Sequence, residues 1–215
     1  MEYNVNRFKE LVLFENRKHN LVSRKTVETD IDNHILDCKK LLNYKSIENL
    51  LVIDIGTGAG FPGLVLAILS AKTNFTLVES DFKKSNFLKL VIDELNLKNV
   101  NVIRERVEIV GRDNSFRENF DICTSRAVAS MNIMLEYSIP LIKNTGSVFM
   151  WKGRNYRNEI ETAKAALDEL GSEVNNIFTY NLMEERDRAI IEVKKNKPTS
   201  LKYPRRVGIP AKRPL

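Results

Sequence analysis

This 215-residue chain has only two cysteines, Cys38 and Cys123, both within apolar periodic segments, so buried thiols are expected rather than a disulfide. No apolar run approaches the length that crosses a bilayer. The opening Met1-Glu-Tyr-Asn lacks the basic and apolar regions of a secretory leader, and the chain is expected to be soluble and cytoplasmic. Internal repeats are absent. The length suits one domain of good size or one domain with appendages, and 43% hydrophobic residues supply its core. Acids are missing from residue 194 to the end, where eight Lys or Arg stand (Lys194, Lys195, Lys197, Lys202, Arg205, Arg206, Lys212, Arg213). The net charge of +6 thus conceals a body that is net acidic by two. Four of the six prolines lie in the same stretch, which reads as an extended, weakly structured arm. As a plain terminus it is solvated. As a functional arm it contacts phosphate, since each neutralised phosphate releases counterions. Tyr203, between Lys202 and Pro204, is either packed or free to stack on a base.

The most informative segment is Leu50-Leu-Val-Ile-Asp54-Ile-Gly56-Thr-Gly58-Ala-Gly60-Phe61-Pro62-Gly63. A short apolar run without alternation fits a central parallel strand covered on both faces. Glycines follow, letting the backbone take positive φ and approach a ligand, and Leu64 to Leu69 begins a packed helix. Ligands of open α/β folds bind at that strand edge. Two cofactors compete for the loop. Gly58-Ala-Gly60-Phe-Pro-Gly63 satisfies the dinucleotide pattern G-x-G-x-x-G, with Glu79 about twenty residues on. A pyrophosphate, however, is bound by bare amides and a helix N-terminus, which the Asp54 carboxylate opposes. S-adenosylmethionine carries an ammonium and a sulfonium and no phosphate. Asp54 suits it better, and Glu79 is placed to accept its ribose hydroxyls. A dehydrogenase would also need a substrate domain for which little chain remains.

Apolar periodicity predicts a helix through Val5, Phe8, Leu11 and Val12 and a second through Ile31, His34, Ile35, Cys38, Leu41 and Leu42. Residues 50–55, 75–79, 100–104, 120–124 and 147–152 read as strands, with helices between them that include 83–96 and 158–170. This alternation predicts a parallel sheet with helices on both faces. Two further strands, 173–180 and 188–194, are joined so briefly that they must pair antiparallel. Five parallel strands closed by a hairpin is the class I methyltransferase plan: a Rossmann-like seven-stranded α/β fold with an N-terminal helical extension. The expected organisation is a helical segment at 1–46, a methyltransferase domain at 47–195 and a basic, proline-rich tail at 196–215. His34, on the apolar side of its helix, reads as a hydrogen-bonded core histidine.

Asn20-Leu-Val-Ser, His34-Ile-Leu-Asp37, the loop Asp54 to Gly63, Arg106-Val-Glu108, Thr124-Ser-Arg126-Ala127, Trp151-Lys-Gly153 and Pro204-Arg-Arg-Val-Gly-Ile-Pro-Ala-Lys-Arg-Pro-Leu215 occur in that order. In these the chain resembles the RsmG (GidB) family of bacterial 16S ribosomal RNA methyltransferases, over nearly its whole length. Glu79 departs from the family, where Asp is usual, and Cys38 follows Asp37 where Ser is frequent. The resemblance implies transfer of a methyl group from S-adenosylmethionine to N7 of one guanosine. It also implies cofactor contacts at Gly56, Phe61, Glu79, Ser80, Asp81, Val107, Glu108 and Arg126, and a 16S RNA or small-subunit partner. From the chemistry alone, Asp54 and Gly58 join the cofactor set, and Glu108 suits the adenine amino edge. Glu105, Glu108 and Asp81 also read as acids at helix starts. Thr124-Ser-Arg-Ala127 stands where amino-directed enzymes carry Asn-Pro-Pro-Tyr, and Cys123 lies in an apolar strand where it is no nucleophile. Guanine N7 has an in-plane lone pair and needs no base, so catalysis reduces to proximity and orientation. Arg126 is the expected catalytic residue, gripping the cofactor carboxylate or guanine O6. Lys152, Lys202, Arg205, Arg206, Lys212 and Arg213 are the expected RNA contacts. Removal of the tail is expected to weaken RNA binding and spare the cofactor. The enzyme is expected to be a monomer without a metal. An S-adenosylmethionine enzyme acting on another RNA atom or a small molecule, and a non-enzymatic ribosome-associated factor, stand as alternatives.

Overall fold

A computed structural model describes residues 2–18, 21–22, 27–182 and 187–215, and for 27–29 the backbone only. Asn20 and Ser23 of the first family motif lie outside the described residues. Helices α1 (Glu2–Lys18), α2 (Val27–Lys39) and α3 (Leu41–Tyr44) come first. Strands β1 (Leu51–Ile55), β2 (Asn74–Val78), β3 (Val100–Ile103), β4 (Phe120–Arg126) and β5 (Ile142–Gly153) then alternate with α4 (Gly63–Leu69), α5 (Phe82–Glu94), α6 (Val107–Val110) and α7 (Met131–Ser138). After α8 (Tyr156–Thr162) and α9 (Lys164–Leu170) come β6 (Ser172–Asn181), β7 (Asp187–Lys195) and a last turn of helix, α10 (Ile209–Lys212).

The strands form one sheet in the order β3-β2-β1-β4-β5-β7-β6. Strands β1 to β5 are parallel, while β7 lies antiparallel between β5 and β6. The chain order reverses between β1 and β4, and this is where an open α/β sheet opens a crevice at its carboxyl edge. The helix expected over 158–170 is two helices broken at Ala163, and the second N-terminal helix is interrupted at Lys40.

Strand parity assigns side chains to two cores. Val52, Leu77, Ile122, Phe149 and Trp151 face α1, α2, α4 and α5. Ile53, Ile55, Val78, Cys123 and Met150 face α7 and α9 on the other side. The α1 stripe of Val5, Phe8, Leu11 and Val12 belongs to the first core, so the N-terminal helices share apolar burial with the sheet. Full burial of a residue such as Phe8 contributes about 1.5–3 kcal/mol. Both cysteines are buried free thiols, and burial pushes Cys38 up to about 12.

The tail is not a loose arm. Tyr203 is 1% exposed in the second core, and its hydroxyl donates to Glu169. Arg117 donates to the carbonyls of Thr199, Ser200 and Tyr203, and Arg112 to that of Pro204. Arg205 makes a bidentate pair with Glu136, whose side chain is 1% exposed. A basic, proline-rich composition reads as a loose arm, but Arg205 is paired with a distant acid and the carbonyls of the segment are held by Arg112 and Arg117.

Candidate active site

A cavity of about 280 Å³ opens at the carboxyl ends of β1 and β2, beside the reversal point. Gly56, Glu79, Ser80, Val107 and Glu108 line it, as the sequence predicts. Gly56 has φ +65, and a Cβ there would come within 2.7 Å of Val128. Glu79 is 8% exposed; its two oxygens accept the amides of Gly58 (2.9 Å) and Asp81 (2.8 Å) and so brace the loop. Glu108 is 1% exposed and accepts the amide of Gly208 at 2.9 Å and the Tyr137 hydroxyl at 3.4 Å. Burial and the adjacent Glu108 carboxylate push the Tyr137 phenol up to about 12.

The other expected cofactor residues are placed elsewhere, and strand parity explains most of it. Asp54 shares the face of Val52, while Ile55 points into the cavity. Its carboxylate, 0% exposed, accepts the Gly63 amide at 3.0 Å and the Thr124 hydroxyl at 2.7 Å. A Cβ at Gly63 would lie 2.6 Å from Asp54, so the last glycine of the loop permits close packing of α4 on β1. Burial pushes Asp54 up to about 6, against the hydrogen bonds it accepts. Asp54, placed with the cofactor set by its charge, does not line the cavity and holds the loop from beneath. Gly58 contributes its amide to Glu79, and Asp81 caps α5 by accepting from Lys84.

Arg126 shares the parity of Thr124 and also faces α2. Its Nη1 donates to Asp37 at 2.9 Å, and its guanidinium lies 5.1 Å from the Phe61 ring centre. Phe61, 5% exposed, packs against Phe8 and His34. Neither Arg126 nor Phe61 lines the cavity. His34 is half-buried with its ring tilted against Phe61, and burial and the Arg126 charge lower its pKa.

Two of the expected RNA contacts, Lys152 and Arg205, are engaged within the protein. Lys152 is 8% exposed and donates to Glu159 at 2.6 Å and to the Ala129 carbonyl. Arg205 is committed to Glu136, as above. Lys202 pairs with Glu169 at 3.2 Å, whereas Arg206, Lys212 and Arg213 are exposed.

The sequence reading missed Val128, Ala129, Ile133 and Tyr137, which form the far wall from β4 into α7, and Ala211 of the tail. Ala211 and the Gly208–Glu108 bond make the tail part of the cavity, so its removal cannot spare that site. The chain's own signal was the apolar stretch directly after Arg126.

The lining therefore has carboxylates at Glu79, Glu105 and Glu108 against the single cation Arg106, with apolar Ile55, Val78, Val107 and Ile133. A family model described as GidB, rRNA small subunit methyltransferase G, matches residues 1–190. The chain belongs to this family. A ribosomal RNA small subunit methyltransferase G of Syntrophomonas wolfei is 55% identical over 215 residues, covering 100% of both chains. One from Carboxydothermus hydrogenoformans is 40% identical over 97% of this chain and 89% of its own. Among solved structures, M. jannaschii TYW2 in complex with AdoMet superposes with TM-score 0.62 at 18% identity, covering 77% of each chain. A SAM-dependent methyltransferase from Aquifex aeolicus gives 0.59 at 16% identity over 77% of this chain and 93% of that one. The fold is that of class I methyltransferases, with an N-terminal helical extension.

Proposed function

We propose that this chain transfers a methyl group from S-adenosylmethionine to N7 of a guanosine in 16S ribosomal RNA, as a metal-free, cytoplasmic monomer. The observation that carries the reading is the acidic cavity at the reversal point of a methyltransferase sheet, in a chain whose relatives bear that name. Its charge suits a cationic methyl donor and opposes a pyrophosphate. When bound, the cofactor supplies an electrophilic methyl group. Glu79, with its remaining lone pairs, would accept from ribose hydroxyls and Glu108 from the adenine amino group, beside the apolar side chains of the lining. Arg126, one strand over, has donors beyond the one given to Asp37 that would be available to guanine O6. No residue needs to remove a proton, because N7 is already nucleophilic, and orientation supplies the rate. The division at residues 46 and 195 belongs to the same proposal, with 47–195 as the catalytic domain.

The test is reaction with small subunits lacking the modification, followed by borohydride and aniline treatment. Strand scission at one guanosine is expected. Methyl incorporation without scission would move the reaction to another atom, and calorimetry showing no cofactor binding would favour a non-enzymatic role.

A further inference from the structure

With Lys152 and Arg205 withdrawn into ion pairs, the RNA must find its cations elsewhere on the active edge. A hollow of about 560 Å³ lies where β5 leads into α8 and β6 meets β7, and it is lined by Arg154, Arg157, Arg188, Tyr180 and Asp187, among others. Arg154 and Arg157 are exposed and Arg188 is half-buried. Among the described residues, none of the three guanidinium groups has an acidic partner; Arg157 only rests on the Tyr156 ring, 5.3 Å from its centre. Among the described residues of the lining, Asp187 is the single acid beside the three arginines. Unpaired guanidinium groups converging on a concavity are the geometry that takes a phosphate by fork-like hydrogen bonds.

Position supports the same partner. Gly153 pairs with Arg188, and Trp151 with Arg126, so the hollow lies on the carboxyl edge. Two strand spacings of about 4.8 Å, with Arg188 two residues beyond the Arg126–Trp151–Ile190 row, put Arg188 roughly 12 Å from Arg126. The field of Arg188 reaches the groups around Arg126: it acts with burial to lower His34, and it opposes the rise of the Tyr180 phenol. Tyr180 forms a wall of the hollow and donates to the Asp37 carboxylate that holds Arg126.

We infer that the Arg154–Arg157–Arg188 hollow binds backbone phosphate of the RNA strand next to the target guanosine. This rests on the reading of RNA as the substrate. A strand seated there would present its neighbouring base to the edge between Arg126 and the cofactor cavity, with the phosphates on the basic side and the acidic cavity left to the methyl donor.

The experiment measures binding of unmodified 16S RNA as a function of salt for the wild type and for Arg154→Ala/Arg157→Ala/Arg188→Gln. Loss of three contacts to single-stranded phosphate should reduce the slope of log K against log salt by about two, at roughly 0.7 per phosphate. Restoring the charge with Arg188→Lys should recover part of it. Lys83→Ala/Lys89→Ala, on the exposed face of α5, should leave the slope near that of the wild type. A triple-variant slope equal to wild type overturns the proposal. So does calorimetric binding of inorganic phosphate that vanishes in the triple variant while the RNA slope stands, which would assign the hollow to a small anion. The readout is RNA binding, not methylation, so it stays distinct from a failure of the N7 reaction.

Discussion

The Arg126 guanidinium donates to the Asp37 carboxylate at 2.9 Å and thereby ties the end of β4 to helix α2. The other oxygen of Asp37 accepts the Tyr180 hydroxyl at 2.6 Å, and its backbone carbonyl accepts the Trp151 indole at 2.9 Å. One aspartate thus gathers β4, β5 and β6 under the N-terminal helices. The side chains of Arg126 and Asp37 are only 14% and 3% exposed, so the pair is shielded from water. A double-mutant cycle of Arg126→Gln and Asp37→Asn, read by urea unfolding, should give a coupling of about 1–3 kcal/mol. Additive effects would show that the two groups do not sense each other.

The same arginine is expected to matter for rate. Arg126→Ala should lower single-turnover methylation by about 2–3 kcal/mol in barrier, the value of a lost charge-assisted contact. Cofactor affinity should change little, because Arg126 does not line the cavity. Unchanged single-turnover rates would remove it from the reaction.

Arg205 is expected to be structural. Its removal leaves the buried Glu136 carboxylate without its charged bidentate partner, with the backbone amide of residue 205 still donating to it. Breaking a buried pair in this way costs about 3–5 kcal/mol. Arg205→Ala should therefore lower the unfolding midpoint markedly, and a midpoint equal to wild type would return Arg205 to the pool of RNA contacts.

The glycine loop was legible because its elements are contiguous: an apolar strand, glycines and an apolar helix lie within twenty residues. The hairpin β6–β7 was legible from a link too short for a crossover. What escaped reading depends on facing and on distance. Asp54 was placed with the cofactor by its charge and Arg126 by resemblance, whereas parity turns both towards α2 and α4; a strand apolar on both sides shows no alternation from which to read it. The tail escaped because its partners Glu169, Glu136 and Glu108 stand 34, 69 and 100 residues away from Tyr203, Arg205 and Gly208.

Seating of the tail leads to an effect on the cofactor. Ala211 faces the cavity from a segment held by Arg205–Glu136 and Gly208–Glu108. Ala211→Phe would fill part of the cavity, and since the residue is exposed the fold should hardly notice. Calorimetry should show S-adenosylmethionine binding weakened about tenfold or more, equivalent to roughly 1.4 kcal/mol. Undiminished affinity would mean that the ligand does not occupy this wall.

Asp54 provides a pH test. Its pKa in the folded chain, about 6, lies above the 3.8 of an ordinary aspartate, so between these values the folded state retains a proton that the unfolded chain has lost. Stability from this group is therefore full below the lower value and declines as pH rises through the upper one, by roughly 3 kcal/mol in all. Asp54→Asn keeps the shape: the amide oxygen can accept from Gly63, and the amide nitrogen can donate to Thr124, whose hydroxyl now donates to Asp54. Urea unfolding at about pH 4.5 and about pH 7.5 should show a flatter pH dependence in the variant, with stability at the higher pH equal to or above wild type. An equal loss at both values would mean that the carboxylate is charged and well solvated by its partners throughout, and that its burial carries no cost.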